Sequence, residues 1–203
     1  MNKKNFKIGV VGSHRVGKTT LCNSLIKYFP GMKNIHTHVS QHPVWTWYNT
    51  NPDDYVSFET RLNIQAELIT YLSTIIEENN DFSYILDRTP LDAMTYLYCN
   101  IDSDVTDTYK DIVDSLENLV IRHTNKLDLI IFLFPGIEKL LSKNELFVEG
   151  KNQQLFQSYI YRNALTNHML GFITRYIDTN VIIVPENIIK LDQRIQYILE
   201  NLV

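Results

Sequence analysis

The fold is decided by the stretch Gly12-Ser13-His14-Arg15-Val16-Gly17-Lys18-Thr19, which lies close to the amino terminus. It satisfies the pattern G-x-x-x-x-G-K-[ST] at every fixed position; an apolar run at residues 6–11 precedes it and a helical pattern follows it. Glycines between a strand and a helix let successive backbone N–H groups point at phosphate oxygens, and the helix N-terminus adds partial positive charge. The stretch, together with Thr20, therefore predicts a phosphate-binding loop.

Two side chains of this loop have predicted roles in binding a nucleoside triphosphate. Lys18 is expected to reach the β- and γ-phosphates, and the Thr19 hydroxyl is expected to ligate Mg²⁺. ATP and Mg²⁺ are therefore the predicted cofactors, although the loop alone does not distinguish ATP from GTP. The loop does not specify a reaction either, and the rest of the chain must do that.

Short apolar runs alternate with long amphipathic stretches along the chain, a pattern typical of parallel strands joined by helical crossovers. Strands are predicted at residues 6–11, 34–39, 84–87, 127–134 and 180–184. Helices are predicted at residues 18–28, 90–99, 105–123, 153–176 and 188–202, with a further long helix through residues 58–76 that Asp53 or Asp54 would cap. The sequence thus predicts an α/β fold, a five-stranded parallel sheet flanked by helices, in one domain over residues 1–203.

Composition and charge exclude several classes of protein. The chain has 203 residues, of which 44% are apolar and 21% are charged, and its net charge is −4. Because no segment concentrates Lys and Arg into a stripe, neither nucleic acid nor an anionic membrane surface is an expected partner. No apolar stretch approaches the ~20 residues of a membrane span, so a cytoplasmic protein is expected. Cys22 and Cys99 are expected to be buried packing thiols in a reducing compartment.

A second motif, Asp87-Arg88-Thr89-Pro90-Leu91-Asp92, follows the third predicted strand. Ligands collect at the carboxyl ends of parallel strands, so Asp87 and Arg88 should emerge beside the phosphate loop. A carboxylate there can hold Mg²⁺ or take a proton, and a guanidinium can bridge phosphoryl oxygens; a structural ion pair is the alternative. Thr89 and Asp92 form a capping box with proline at the first helical position, so Asp92 is expected to be a cap rather than a catalyst.

Both motifs resemble those of known families. Gly-Ser-His-x-x-Gly-Lys-Thr-Thr-Leu followed by Asp-Arg-x-Pro-Leu-Asp-x-x-x-Tyr resembles the AAA_28 group, which includes the kinase domain of bacterial ribosylnicotinamide kinase and many phage proteins. A weaker resemblance is to the deoxynucleoside kinases, because residues 39–47 keep Pro-Val-x-x-Trp and residues 87–89 keep the acidic-Arg-hydroxyl order. Both resemblances imply a P-loop NTPase fold of the nucleoside/nucleotide kinase type and phosphoryl transfer to a nucleoside-like acceptor.

The chain departs from both families at the end of the second strand. Those families usually place a glutamate there as the base that accepts the acceptor's hydroxyl proton, whereas this chain has Gln41-His42. A neutral imidazole can accept a proton and an amide cannot. Three possibilities stay open: His42 is the base, Asp87 takes over that role, or the acceptor carries a phosphate and needs little base, as in nucleoside monophosphate kinases. A fourth reading makes His42 a packing residue only.

The region between the second and third strands is unusually aromatic and is the predicted acceptor site. Trp47 and Phe58 are the predicted contacts of the acceptor base, because aromatic faces stack on bases, although core packing is the competing explanation. Where the deoxynucleoside kinases tend to have Phe-Gln this chain has Phe58-Glu59, so Arg61 and Gln65 are the predicted substitutes for that base contact.

Phosphoryl transfer also needs positive charge that closes over the leaving phosphates. The segment at about residues 137–154 is the predicted lid, with Lys151 and the following Arg162 as its cations; a solvated polar loop is the alternative. The loop after the fifth strand, residues 185–187, is expected to pass the adenine through backbone groups.

The leading functional hypothesis is therefore ATP- and Mg²⁺-dependent phosphoryl transfer to a small-molecule nucleoside or nucleoside monophosphate. The alternatives are a ribosylnicotinamide kinase-like activity, a kinase that acts on a modified base in DNA, and a nucleotide-binding regulator or ATPase that is not a kinase. Similar kinases are often dimers, so a homodimer is a further expectation, although no sequence feature specifies an interface.

Overall fold

The computed structural model describes residues 5–45, 57–99, 106–135 and 159–202. Its strands are β1 (Lys7–Gly12), β2 (Lys33–His36), β3 (Tyr84–Asp87), β4 (Leu129–Leu133) and β5 (Asn180–Val184). Its α-helices are α1 (Lys18–Leu25), α2 (Phe58–Glu78), α3 (Pro90–Tyr98), α4 (Thr106–Thr124), α5 (Tyr159–Tyr176) and α6 (Leu191–Glu200). None of the helices in these ranges is both long and apolar enough to cross a membrane.

The five strands form one parallel sheet in the order β2-β3-β1-β4-β5. The predicted five-stranded parallel sheet is thereby confirmed. Asp87, the last residue of β3, is paired with Val10 on one side and with His36 on the other. Because all strands run the same way, the phosphate loop after β1 and the residues that end β2 and β3 share one edge of the sheet.

Helices cover both faces of the sheet, which explains why its central strands are apolar throughout. All five residues of β4 are buried. Ile130 and Phe132 pack into a core with α2, α3, α4 and α5, whereas Leu129 and Ile131 pack into a second core with α1 and α6. Alternate residues of one strand thus enter different cores, as the two-residue period of a strand requires.

Several element boundaries differ from those that the sequence predicts. Strand β2 ends at His36 rather than at residue 39, because His38 adopts a left-handed conformation (φ 48°) and a 3-10 turn, Val39–Gln41, follows. The prediction that Asp53 or Asp54 caps α2 was wrong, since Ser57 is its N-cap and accepts a hydrogen bond from the Thr60 amide at 3.1 Å. Helix α6 begins at Leu191, three residues later than predicted.

The two cysteines differ in their burial. Cys22 lies fully buried in α1, and this burial raises the pKa of its thiol. Cys99 is only partly buried, so the prediction of two buried thiols holds for Cys22 alone.

Candidate active site

The phosphate loop depends on backbone conformations that its glycines permit. Gly12 has a φ of +148°, and a Cβ there would lie 2.5 Å from the Leu133 carbonyl oxygen. Gly17 has a φ of +92° immediately before α1, and Arg15 is also left-handed, with a φ of 57°. Both glycine positions of the sequence pattern are therefore required by the geometry of the loop.

Lys18 lies across this loop and is buried. Its Nζ donates hydrogen bonds to the carbonyl oxygens of Gly12 at 2.6 Å and Ser13 at 2.9 Å, and it lies 3.7 Å from a carboxylate oxygen of Asp92. Burial and the neighbouring Arg88 lower the pKa of Lys18 to about 8, against the opposing effect of nearby carboxylates. Two of its present partners are neutral carbonyls. An incoming anion would add a negative charge beside the amine and so stabilise its charged form.

Asp92 has the structural role that the capping pattern predicts. One of its carboxylate oxygens accepts a hydrogen bond from the Thr89 amide at 2.9 Å, and Pro90 occupies the first turn of α3. Burial raises the pKa of Asp92, while Lys18 and Arg88 oppose that shift. Asp92 thus caps α3 and also faces the cations of the site.

Asp87 and Thr19 form a pair of oxygen ligands beside the loop. The Thr19 hydroxyl donates a 2.5 Å hydrogen bond to Oδ2 of Asp87, whereas the buried Oδ1 has no hydrogen-bond partner. A hydroxyl and a carboxylate with a vacant oxygen fit the preference of Mg²⁺ for hard oxygen ligands. No cluster of three or more His, Cys, Asp or Glu side chains occurs in the described ranges, so phosphates and water would have to complete the coordination shell.

A second imidazole, which the sequence analysis did not single out, lies at this edge of the sheet. Nδ1 of His36 is 3.7 Å from Oδ2 of Asp87, and its Nε2 is 2.9 Å from the Asn23 side-chain oxygen. The Thr37 hydroxyl donates to the backbone carbonyl of Asp87 at 2.8 Å. His36 was not predicted as a site residue because β2 was expected to run to residue 39, which places His36 inside the strand. The available signal was a histidine near the carboxyl end of a predicted parallel strand, where ligands collect.

His42, the predicted base, lies beyond the end of β2. Its Nδ1 accepts a hydrogen bond from the Val44 amide at 3.3 Å, and its ring centroid is 4.7 Å from that of Tyr71. The Tyr71 hydroxyl in turn donates to the carbonyl of Thr37, the residue after β2, at 2.8 Å. The Tyr71 side chain therefore connects His42 to the end of β2. In this conformation the lone pair of the neutral ring is engaged by Val44, and the role of His42 as base stays a prediction.

Arg88 emerges from β3 in a strained conformation. Its φ is +80°, which costs a non-glycine residue of order 1–3 kcal/mol and is concentrated at functional sites. Burial lowers the pKa of its guanidinium, but the nearby Asp92, Tyr96 and Asp87 outweigh that effect and raise it. The predicted arginine is therefore held beside both carboxylates.

Basic side chains from three segments converge on the phosphate loop. The pKa of His14 is lowered to about 3, first by burial and then by the positive charges of Arg88, Lys18, Arg15 and Arg162. Its ring centroid lies 4.8 Å from that of Tyr96. Arg162 on α5 is 4% exposed and its Nε has no hydrogen-bond partner. Arg88 and Arg162, both predicted as site residues, are thus brought close to Lys18. Lys151 and the predicted lid lie outside the described residues.

The predicted acceptor contacts lie in different environments. Gln65 on α2 is 4% exposed and its Oε1 has no hydrogen-bond partner, which is unusual for a buried amide. Arg61, one turn earlier, is half-buried. Phe58 is 9% exposed and its ring centroid lies 5.3 Å from that of Tyr109, within the core. Trp47 lies outside the described residues.

A cleft of about 180 Å³ opens on the other side of the loop, lined by Arg15, Val16, Gly17, Thr20, Ile189, Leu191 and Arg194. The loop predicted to pass the adenine is residues 185–187, whereas this cleft is lined by Ile189 and Leu191, which lie later in the chain. Arg194 was missed altogether. The available signal was its position on the buried stripe of α6, where its neighbours Ile195 and Ile198 are apolar.

The sheet, the loop after β1 and the Thr19–Asp87 pair define the chain as an α/β protein of the P-loop class. Comparison with solved structures narrows the fold further. Deoxyadenosine kinase from M. mycoides with bound dATP is 20% identical, with a TM-score of 0.70 over 97% of this chain and 98% of that chain. Thymidylate kinase from Candida albicans is 19% identical, with a TM-score of 0.68 over 97% of this chain and 90% of that chain.

A third solved structure, the NadR protein in complex with NR, is 12% identical, with a TM-score of 0.60 over 97% of this chain and 50% of that chain. The chain therefore has the P-loop fold of the nucleoside and nucleotide kinases, and the predicted fold class is confirmed. No protein family matches the chain by its sequence profile, and no curated protein is significantly similar to it in sequence. The resemblance to the AAA_28 group stays a prediction.

Proposed function

We propose that the protein is a kinase that transfers a phosphoryl group from ATP, with Mg²⁺, to a small nucleoside or nucleoside monophosphate. One observation carries the proposal: the Thr19–Asp87 pair, with its vacant carboxylate oxygen, lies beside the phosphate loop, and Asp87 interacts with the buried cations Lys18 and Arg88. A fold shared with deoxyadenosine kinase and thymidylate kinase supports the same class of reaction.

The backbone of the phosphate loop and the charged side chains around it have separate roles in this proposal. The backbone of residues 12–17 and the amine of Lys18 bind the donor's phosphates, and the amine exchanges its carbonyl partners for phosphate oxygens. Thr19 and Asp87 hold Mg²⁺, which when bound neutralises phosphate charge and orients the phosphates. Arg88 and Arg162 supply the further positive charge that the transferring group requires.

The acceptor's proton has two candidate destinations among the histidines. His36 is adjacent to Asp87, whereas the Nδ1 of His42 is engaged by Val44 and must lose that contact before it accepts a proton. Asp87 is a weaker candidate for the base because Thr19 and the proposed metal occupy its oxygens. An acceptor that carries its own phosphate would need little base.

The deciding experiment is a screen of acceptors by ADP release. A panel of nucleosides, their monophosphates and ribosylnicotinamide is incubated with ATP and Mg²⁺, and one acceptor is expected to raise ADP release sharply. Lys18→Ala and Asp87→Asn are expected to abolish the increase. The surface pair Lys110 and Asp114 on α4 provides matched controls, since Lys110→Ala and Asp114→Asn remove the same groups from exposed positions.

The screen also separates the proposal from its alternatives. Equal ADP release with and without every acceptor would indicate a nucleotide-binding regulator or ATPase. A response to ribosylnicotinamide alone would indicate the ribosylnicotinamide kinase-like activity. Phosphorylation of duplex DNA that contains a modified base, with no response to free acceptors, would indicate the DNA-directed alternative.

A further inference from the structure

Arg194 joins two segments that flank the phosphate loop. Its Nη1 donates a 2.6 Å hydrogen bond to the carbonyl oxygen of Val16, inside the loop. Its Nε donates a 2.8 Å hydrogen bond to the carbonyl oxygen of Ile188, in the connection that follows β5. The side chain is 7% exposed, and within the described part of the chain no carboxylate pairs with it.

Burying an arginine without a carboxylate partner lowers the stability of the folded protein, so the contacts that Arg194 makes with the loop need an explanation. A buried cation with neutral partners pays a desolvation cost that two carbonyls only partly offset, and burial accordingly lowers the pKa of Arg194. Loops that turn their N–H groups inward to bind an anion turn carbonyl groups outward. The outward carbonyl of buried Val16 needs a donor, and Arg194 supplies one from the opposite side of the loop.

The contact extends to the glycine that begins α1. A Cβ on Gly17 would lie 3.6 Å from Nη1 of Arg194, so the guanidinium lies directly against the left-handed turn of the loop. Arg194 and Ile189 also line the cleft of about 180 Å³ beside the loop. One side chain therefore contacts the loop, the turn before α1 and the connection that bounds the cleft.

We propose that Arg194 is a positioning residue, which holds the empty phosphate loop in its binding conformation and couples it to the cleft beside it. The inference rests on the proposed function only in that the loop must bind a nucleoside polyphosphate. Arg194 does not touch the phosphates. It fixes the Val16 carbonyl, so the amides on either side are oriented before the ligand arrives, and its charge adds to the attraction for the anion.

The test compares Arg194→Met, Arg194→Lys and the unaltered protein, with Arg122→Met, at an exposed position of α4, as a control for the loss of one charge. ADP binding is measured by titration calorimetry, without acceptor. Hydrogen exchange of the amides of residues 13–19 is measured without nucleotide. Arg194→Met is expected to weaken ADP binding at least tenfold and to accelerate amide exchange in the loop. Arg194→Lys keeps the charge but cannot make both hydrogen bonds, so its ADP affinity and loop exchange should lie between those of Arg194→Met and the unaltered protein. Arg122→Met should match the unaltered protein in both measurements.

The outcomes separate a positioning role from a merely structural one. A lower melting temperature in Arg194→Met with unchanged ADP affinity and unchanged loop exchange would overturn the proposal. If Arg194→Met does not fold, Arg194→Lys decides, and ADP binding and exchange equal to those of the unaltered protein would likewise overturn it. If the unaltered protein binds no ADP, the proposed function fails, yet faster amide exchange of the loop in the Arg194 variants would still support the positioning role of Arg194.

Discussion

The two sides of the site differ in how their polar side chains contact the backbone. On the phosphate side, Lys18 donates to two carbonyls, Arg194 donates to two more, and Thr19 donates to Asp87. Buried atoms without a hydrogen-bond partner occur in both regions: Oγ of Ser13 and Oδ1 of Asp87 beside the loop, Nε of Arg162 on α5, and Oε1 of Gln65 in the predicted acceptor region.

The backbone contacts of Lys18 and Arg194 show how the phosphate side is prepared for its ligand. The phosphate side holds its shape through contacts within the chain, so a nucleotide finds a formed loop. Buried groups without partners raise the free energy of the folded state by about 1–3 kcal/mol each, and such groups persist where a ligand completes them. The acceptor side should therefore lose function, but not stability, when its unpartnered groups are removed.

Arg162 provides the prediction with the largest expected effect. Arg162→Met keeps the length of the side chain but removes its charge, and it should lower phosphoryl transfer by about 10²- to 10³-fold because a cation at the transferring group is lost. The melting temperature should change little, since Met keeps the apolar packing of the side chain and removes an Nε that has no hydrogen-bond partner. Arg175→Met, an exposed change on the same helix, is the control. Unchanged turnover in Arg162→Met would exclude Arg162 from the site.

The histidines of the acceptor side provide the second prediction. His42→Ala should lower turnover at least tenfold, which is ~1.4 kcal/mol of barrier, and leave ATP affinity unchanged. His36→Asn is measured in parallel under the same conditions. If His36→Asn slows turnover and His42→Ala does not, the base is the imidazole adjacent to Asp87 and His42 is a packing residue. If neither variant slows turnover, an acceptor that needs little base is favoured.

Gln65 provides the third prediction. Gln65→Leu preserves the volume of the buried side chain on α2 and removes an amide oxygen without a hydrogen-bond partner, so the free energy of unfolding should rise by about 1 kcal/mol. The KM for the acceptor should rise several-fold, with little change in the affinity for ATP. Gln193→Leu, at an exposed position of α6, should change neither quantity. Lower stability of Gln65→Leu would show that the amide has a partner within the folded protein.

The parts of the molecule that the sequence predicts are those set by local pattern. The phosphate loop, the sheet and the cap of α3 follow from residue types at fixed spacing, and the structure contains all three. The end of β2 could not be located because it depends on Thr37 bonding to the carbonyl of Asp87, 50 residues away. Arg194 was missed for the same reason, since its contact with Val16 spans 178 residues. Contacts at such separations are set by the sheet order, which no single segment specifies.

His14 provides the last prediction, and it concerns stability rather than turnover. Burial and four neighbouring cations lower the pKa of His14 from 6.5 to about 3 in the folded protein, so between these pH values the unfolded chain binds a proton that the folded chain does not. The free energy of unfolding should therefore fall as the pH is lowered from 6.5 towards 3, with a slope that approaches about 1.4 kcal/mol per pH unit for one proton. His14→Asn removes this titration, so its stability should fall less over the same range. Urea denaturation between pH 6.5 and 4.5 measures the pH dependence of the free energy of unfolding for both proteins; parallel curves would show that His14 takes up its proton in the folded state.

Bound ADP should reduce this difference in pH dependence, because an anion in the loop offsets the cations that hold the ring neutral.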